Sequence, residues 1–407
     1  VTQTEQALLL LILLVGVILV IAILLKTGLE RIGIPALVGY MILGLLINAA
    51  EQNWHLFSTG ELEVFEFLAD IGIICLLFRV GLESNLAELI RQLRRASIVW
   101  LGDVFWSGLL GFFTAYFLLQ LKMITSFFVG TAMTATSVAI AVGIWREANA
   151  IKSPNGELML DVAEMDDISA VILMALLFSV APILQNHPDA TLLVVLAKTA
   201  VSFLIKALVF GTLCFLFSRY GEKSLTNFFQ RLEPLPDSTI MVAGVGFVIA
   251  ALAGLLGFSV AIGAFFAGLV FSRDPDAIKI DASFDTIYEL FVPFFFIGIG
   301  LKIDLNALTT GLDLGIILLI VAMLGKLIGV GIPVLKIAES RSAVLLGISM
   351  VPRAEIMMIV MQHGWQLGEW AVPDQVFAAM VLVSAMTTFI VPFILRPLLR
   401  HWPQTAE

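Results

Sequence analysis

Thirteen long apolar runs constrain this chain more than any other feature of its sequence. They lie at about 6–25, 33–48, 62–83, 96–119, 124–144, 157–184, 190–218, 238–253, 257–272, 284–301, 312–335, 342–362 and 373–398. A helix that crosses a bilayer needs about 20 apolar residues, and a membrane barrel would instead show short alternating segments. The runs therefore predict an all-α polytopic membrane protein with about 13 transmembrane helices. Composition agrees: 60% of the 407 residues are hydrophobic and 14% charged, with a mean hydropathy of +1.02. That excludes a soluble domain or a disordered chain. The net charge of −9 offers no field for a polyanion, so no nucleic-acid partner is expected. Cys75 and Cys214 both fall in apolar runs and read as inert thiols.

The basic residues sort the loops. Of 23 Lys and Arg, sixteen follow odd-numbered runs, whereas only Lys122 and Lys302 lie in the opposite loops. Positive charge is retained in the cytoplasm. The N-terminus is therefore expected outside and the C-terminus in the cytoplasm, in a multi-pass protein of a bacterial inner membrane or an internal energy-coupling membrane. An odd count of thirteen suggests two six-helix halves of opposite orientation joined by a linker helix. Such inverted repeats put a transport site at their interface.

The remaining five cations, Arg79, Lys198, Lys206, Lys326 and Arg353, sit inside apolar runs. A charge at mid-membrane costs at least ~2.5–3.5 kcal/mol, so such residues point to function. In the sixth run, Asp166 and Asp167 precede a wholly apolar stretch. Neighbouring helical residues face different directions. One aspartate can thus pair with a cation while the other faces a cavity. Lys326 lies midway along the eleventh run between Gly325 and Gly329, and one of these aspartates is its natural partner. Asp161 and Glu164 lie nearer the loop and read as interfacial. Lys198 reads as a snorkelling lysine near the outer end of its run. Arg79 and Glu83, four apart, read as a structural pair. Asp103 reads as a helix–helix hydrogen-bonding residue.

The fifth and twelfth runs are the fifth elements of the two halves, and both are interrupted. One contains Thr134-Ala-Thr136-Ser137; the other contains Ser349-Met-Val-Pro352-Arg353-Ala-Glu355. Proline lacks the helix donor, and Ser and Thr compete for backbone groups. Broken helices at matching positions are a pointer to a transporter site. Arg353 and Glu355 read as compensating the partial charges of the helix ends there. No GxxxxGK[ST], GxSxG or HExxH occurs, and four scattered histidines with two distant cysteines form no ligand cluster. The chain is not expected to be an enzyme, and no resident cofactor or metal is expected.

Several segments carry a family resemblance: IPALVGYMILGLLI (34–47), LLFRVGLESNL (76–86), TATSVAI (134–140), Asp166-Asp167, FVPFFFIGIGLKIDL (291–305), Gly325-Lys326 and VPRAEI (351–356). The sequence resembles the monovalent cation:proton antiporter-2 family, particularly its bacterial Na+/H+ antiporter members. The resemblance implies a thirteen-helix antiporter fold with crossed, discontinuous fifth and twelfth helices. It also implies a homodimer in which a core domain (mainly 62–184 and 284–362) moves like an elevator. The scaffold would be mainly 1–48, 190–272 and 373–398, with 401–407 a short tail. Asp167 would be the main ion and proton carboxylate. Asp166 would exchange a salt bridge with Lys326, and Thr134 and Ser137 would lie at the crossing. Ala354 departs from the family, which usually has Gly there. Glutathione-gated potassium-efflux members usually have Gln where this chain has Asp166.

The expected activity is electrogenic Na+(Li+)/H+ exchange, with cation and proton competing at Asp167 and with Asp166 and Lys326 in proton coupling. A K+/H+ antiporter or K+ efflux system is the alternative. A gated cation channel and a non-transporting ion sensor are further ones, and a proton-coupling base in the membrane argues against both.

Overall fold

The computed structural model describes residues 3–31, 34–54, 57–83, 86–186, 192–221, 238–256, 258–272 and 277–404. Among them every regular element is helical; besides two short π-helical stretches at Thr114–Leu118 and Phe217–Gly221, all are α-helices. In chain order these are α1 (Gln3–Arg31), α2 (Ala36–Trp54), α3 (Thr59–Glu83), α4 (Leu86–Phe113), α5 (Met123–Thr134), α6 (Val138–Glu147), α7 (Pro154–Asn186) and α8 (Leu192–Leu216). There follow α9 (Ser238–Leu255), α10 (Val260–Phe271), α11 (Ala277–Leu301), α12 (Leu305–Thr310), α13 (Leu312–Val334), α14 (Ser340–Ser349), α15 (Glu355–Leu367) and α16 (Asp374–His401). Each of the thirteen apolar runs is mainly helical where described. The fifth forms α5 and α6, and the twelfth forms α14 and α15. Seven described helices are individually long and apolar enough to cross a membrane. The half-helices fall short of that length because each run is broken.

The breaks have local causes. Thr134 Oγ1 donates back to the Thr131 carbonyl at 2.8 Å as α5 ends. Ala135 and Ser137 are then extended, with φ/ψ of −64/146° and −99/98°. In the twelfth run, Ser349 Oγ donates to the Leu345 carbonyl at 2.7 Å in the last turn of α14. Pro352 supplies no donor and disfavours the helical conformation at the residue before it.

The chain divides into two compact units. One comprises Val1–Phe67, Arg91–Ala170 and Phe296–Glu407; the other comprises Leu68–Ile90 and Val171–Phe295. In the first, α13 lies against α14 and α16, and α5 against α15. Its α2 and α11 meet backbone to backbone at Gly44 and Gly300, where an added Cβ would collide with main-chain atoms. In the second, α3 and α10 approach in the same way at Gly81 and Gly268. Small residues permit such close packing in a membrane, where apolar burial alone provides no drive. Many outward side chains are apolar, among them Leu13, Leu24 and Leu208, as lipid contact requires. Cys75 and Cys214 are free and buried.

Arg79 has partners distant in the chain. Its Nη1 lies 2.9 Å from Asp285 Oδ1, and its guanidinium stands 4.5 Å from the centre of the Tyr288 ring. The side chain of Glu83 lies outside the described residues. Lys198 and Lys206 are both exposed on α8.

Candidate functional site

The two breaks meet. The Ser137 N–H donates to the Pro352 carbonyl at 2.7 Å, so one extended segment crosses the other. The carboxyl ends of α5 and α14 reach this crossing, and the amino ends of α6 and α15 leave it. Unpaired carbonyls at a helix end carry partial negative charge.

Arg353 answers that charge. It is fully buried. Its Nε and Nη2 donate to the Met133 carbonyl at 3.1 and 3.0 Å, and its Nη1 to the Val351 carbonyl at 2.9 Å. One guanidinium thus serves the last turn of α5 and the segment just past α14. Its own backbone is fixed by α16: Ser384 Oγ donates to the Arg353 carbonyl at 2.9 Å. Glu355 lies in the first turn of α15, where a negative charge suits the helix amino end. A further tie joins the other half-helices, with Trp145 Nε1 donating to Ser349 Oγ at 2.9 Å.

Beside the crossing lies a buried charge cluster. Lys326 on α13 and Asp166 on α7 are both wholly inaccessible, with Nζ 2.7 Å from Asp166 Oδ2. The same Nζ donates to the Thr134 carbonyl at 2.8 Å, so Lys326 also serves the end of α5. Its third acceptor is Asp103 Oδ2 on α4, again at 2.7 Å and wholly inaccessible. Its amine thus has three acceptors, which matches the full donor capacity of a lysine. Thr136 Oγ1 donates to Asp166 Oδ2 at 2.5 Å, and Ser107 Oγ donates to Asp103 Oδ1 at 3.1 Å.

Two buried oxygens are left over. Asp166 Oδ1 and Ser137 Oγ have no hydrogen-bond partner. Asp167, next along α7, is half-buried. The arrangement offers hard oxygen ligands to a small cation next to a fixed ammonium. A carboxylate in such a place can hold a proton or a cation, but not both.

Of the residues singled out in the sequence, Asp166, Lys326, Thr134, Ser137 and Arg353 come together here through the contacts above. Asp167 adjoins them in sequence. Two members escaped sequence reading. Thr136 lies in the Thr134–Ser137 window but carried no assigned role. Asp103 looked like an ordinary interhelical hydrogen-bonding residue, yet it shares the lysine. Its signal was present: it is an ionisable side chain inside an apolar run.

A membrane fold with two interrupted helices crossing beside buried carboxylates and a buried lysine defines an ion-coupled secondary transporter, not an enzyme. Comparison with known proteins agrees. The sodium/hydrogen exchanger family, transmembrane part, matches residues 16–401, and the chain belongs to that family. It is 28% identical over 372 residues to a Na+/H+ antiporter of Enterococcus hirae, covering 90% of this chain and 92% of that protein. It is 30% identical over 371 residues to the Na+/H+-K+ antiporter GerN of Bacillus cereus, covering 90% of each. Its fold is similar to that of the sodium proton antiporter MjNhaP1 of Methanocaldococcus jannaschii. That likeness has a TM-score of 0.70 at 17% identity and covers 97% of this chain and 98% of that one.

Proposed function

We propose that this chain exchanges a monovalent cation, Na+ or Li+, for protons across a membrane. Cation and proton compete at Asp167, with Asp166 and Lys326 taking part in the coupling. The observation that carries this reading is the unpartnered, buried Asp166 Oδ1 beside Asp167. A buried acceptor without a donor is costly, and a cation or proton at the site relieves it. Small hard cations take carboxylate and hydroxyl oxygens. Ser137 Oγ, also without a partner, is a natural further ligand.

The charge balance gives exchange. An empty site in which Asp103, Asp166 and Asp167 outnumber Lys326 and Arg353 is a poor species to move through a low-dielectric core. Loading by a cation or by protons brings it nearer neutrality, so only loaded states cross. That is the requirement for antiport. With more than one proton-coupling group per cation, the exchange is electrogenic. Residues 62–184 and 284–362 serve as the moving core of a homodimer. The N-terminus lies outside and the C-terminus in the cytoplasm, a reading supported by the sorting of basic loop residues.

Exchange of K+ is the second reading, favoured by the likeness to the Na+/H+-K+ antiporter of Bacillus cereus. The test is a pH-jump assay in proteoliposomes with Na+, Li+ and K+ in turn. Wild type should move protons on addition of at least one of these cations, and Asp167→Asn should not. Full exchange by Asp167→Asn would overturn the assignment of that carboxylate. Large, turnover-independent currents would point instead to a channel.

A further inference from the structure

Lys326 has two carboxylate partners at the same 2.7 Å, and they are not equivalent. Both oxygens of Asp103 have a donor: Oδ2 receives Lys326 and Oδ1 receives Ser107. Asp166 leaves one oxygen unused, because Oδ2 receives both Lys326 and Thr136 while Oδ1 receives nothing. The backbones that carry Asp103 and Lys326 are also held unusually close. A Cβ on Gly329 would lie 2.9 Å from Asp103 Cα, one on Gly102 would lie 2.6 Å from the Gly329 carbonyl oxygen, and one on Gly325 would lie 3.2 Å from Ser107 Cα. The Asp103–Lys326 contact is thus built into the α4–α13 packing, whereas Asp166 approaches from α7.

We propose that Asp103 is a positioning residue for transport: a resident second anchor for Lys326 that competes with Asp166 for the ammonium and so makes Asp166 available to the cation. The inference rests on the reading of Asp166 and Asp167 as the cation site. Without Asp103, the whole attraction of Lys326 falls on Asp166, and a cation must displace it completely. With Asp103 present, Lys326 keeps a counter-charge and the Thr134 carbonyl after Asp166 turns to the cation. Among the described residues the charged groups at this ammonium are Asp103 from α4 and Asp166 from α7, with Arg353 at the crossing in electrostatic range of both aspartates and Asp167 next to Asp166 in sequence on α7.

The test is cation titration of exchange in proteoliposomes of the full chain, using whichever of Na+, Li+ and K+ the wild type transports. Asp103→Asn is isosteric and should give monodisperse, folded protein. Its apparent KM for the cation should rise about tenfold, the scale of one charge-assisted hydrogen bond, and by a larger factor than any fall in maximal rate. Asp103→Glu, which keeps the charge, should return KM toward wild type. In a Lys326→Gln background, Asp103→Asn should leave KM where Lys326→Gln alone puts it. A KM shift that persists in that background would mean that Asp103 attracts the cation through space, and would overturn the proposal. So would a loss of rate at unchanged KM, or a failure of Asp103→Asn to fold. These outcomes are separate from the activity itself, since wild-type exchange and its loss in Asp167→Asn are read in the same vesicles.

Discussion

Replacing Arg353 tests whether the crossing is held by one buried guanidinium. Arg353→Met removes three hydrogen bonds, two to the Met133 carbonyl and one to the Val351 carbonyl. Met133 has no ready substitute. Four residues on, the Ser137 N–H that a continuous helix would offer it is already bound to Pro352. Each buried carbonyl left without a donor costs about 1–3 kcal/mol, so the two together cost about 2–6 kcal/mol. The lost favourable charge at the end of α5 adds to this, and the relief of burying no cation subtracts from it. Arg353→Lys keeps the charge but has a single nitrogen in place of the planar fork, so it should fall between. Thermal unfolding in a fixed detergent should rank the proteins wild type, then Lys, then Met. A Met variant that melts with the wild type, or Lys and Met variants that melt together, would refute the argument that these carbonyls depend on Arg353.

Two further outcomes follow from the site. Gly329→Val puts a branched side chain where even a Cβ would stand 2.9 Å from Asp103 Cα, so α4 and α13 must separate. Exchange should fall more than about tenfold in vesicle assays, because Lys326 and Asp103 then lose register, and wild-type rates would contradict the close-packing account. Competition at Asp167 also fixes the sign of the pH dependence. With equal pH on both sides, lowering the pH fills the carboxylate with protons, so apparent KM for the cation should rise by up to about tenfold per unit for one competing proton. A KM independent of pH would separate the cation and proton sites.

The sequence determined the fold class and much of the site, for a simple reason. In a bilayer, apolar length marks the helices, and every charge inside an apolar run is expensive enough to be informative. Asp166, Lys326 and Arg353 stood out on that ground alone. The Thr134–Ser137 window and Pro352 showed where two helices break, because their effect on the backbone is local. What local chemistry does not fix is register between helices distant in the chain. The spacing of Arg79 and Glu83 suggested a partner one turn away, but nothing local announced Asp285, which the fold also brings up. Asp103 is 223 residues from Lys326, and nothing near it in the sequence names that partner. The contact exists because Gly102, Gly325 and Gly329 let α4 and α13 approach to backbone distance. The sequence therefore identified which charges needed partners. Only the tertiary structure decided that Lys326 has two carboxylates, since the choice depends on how closely two helices pack.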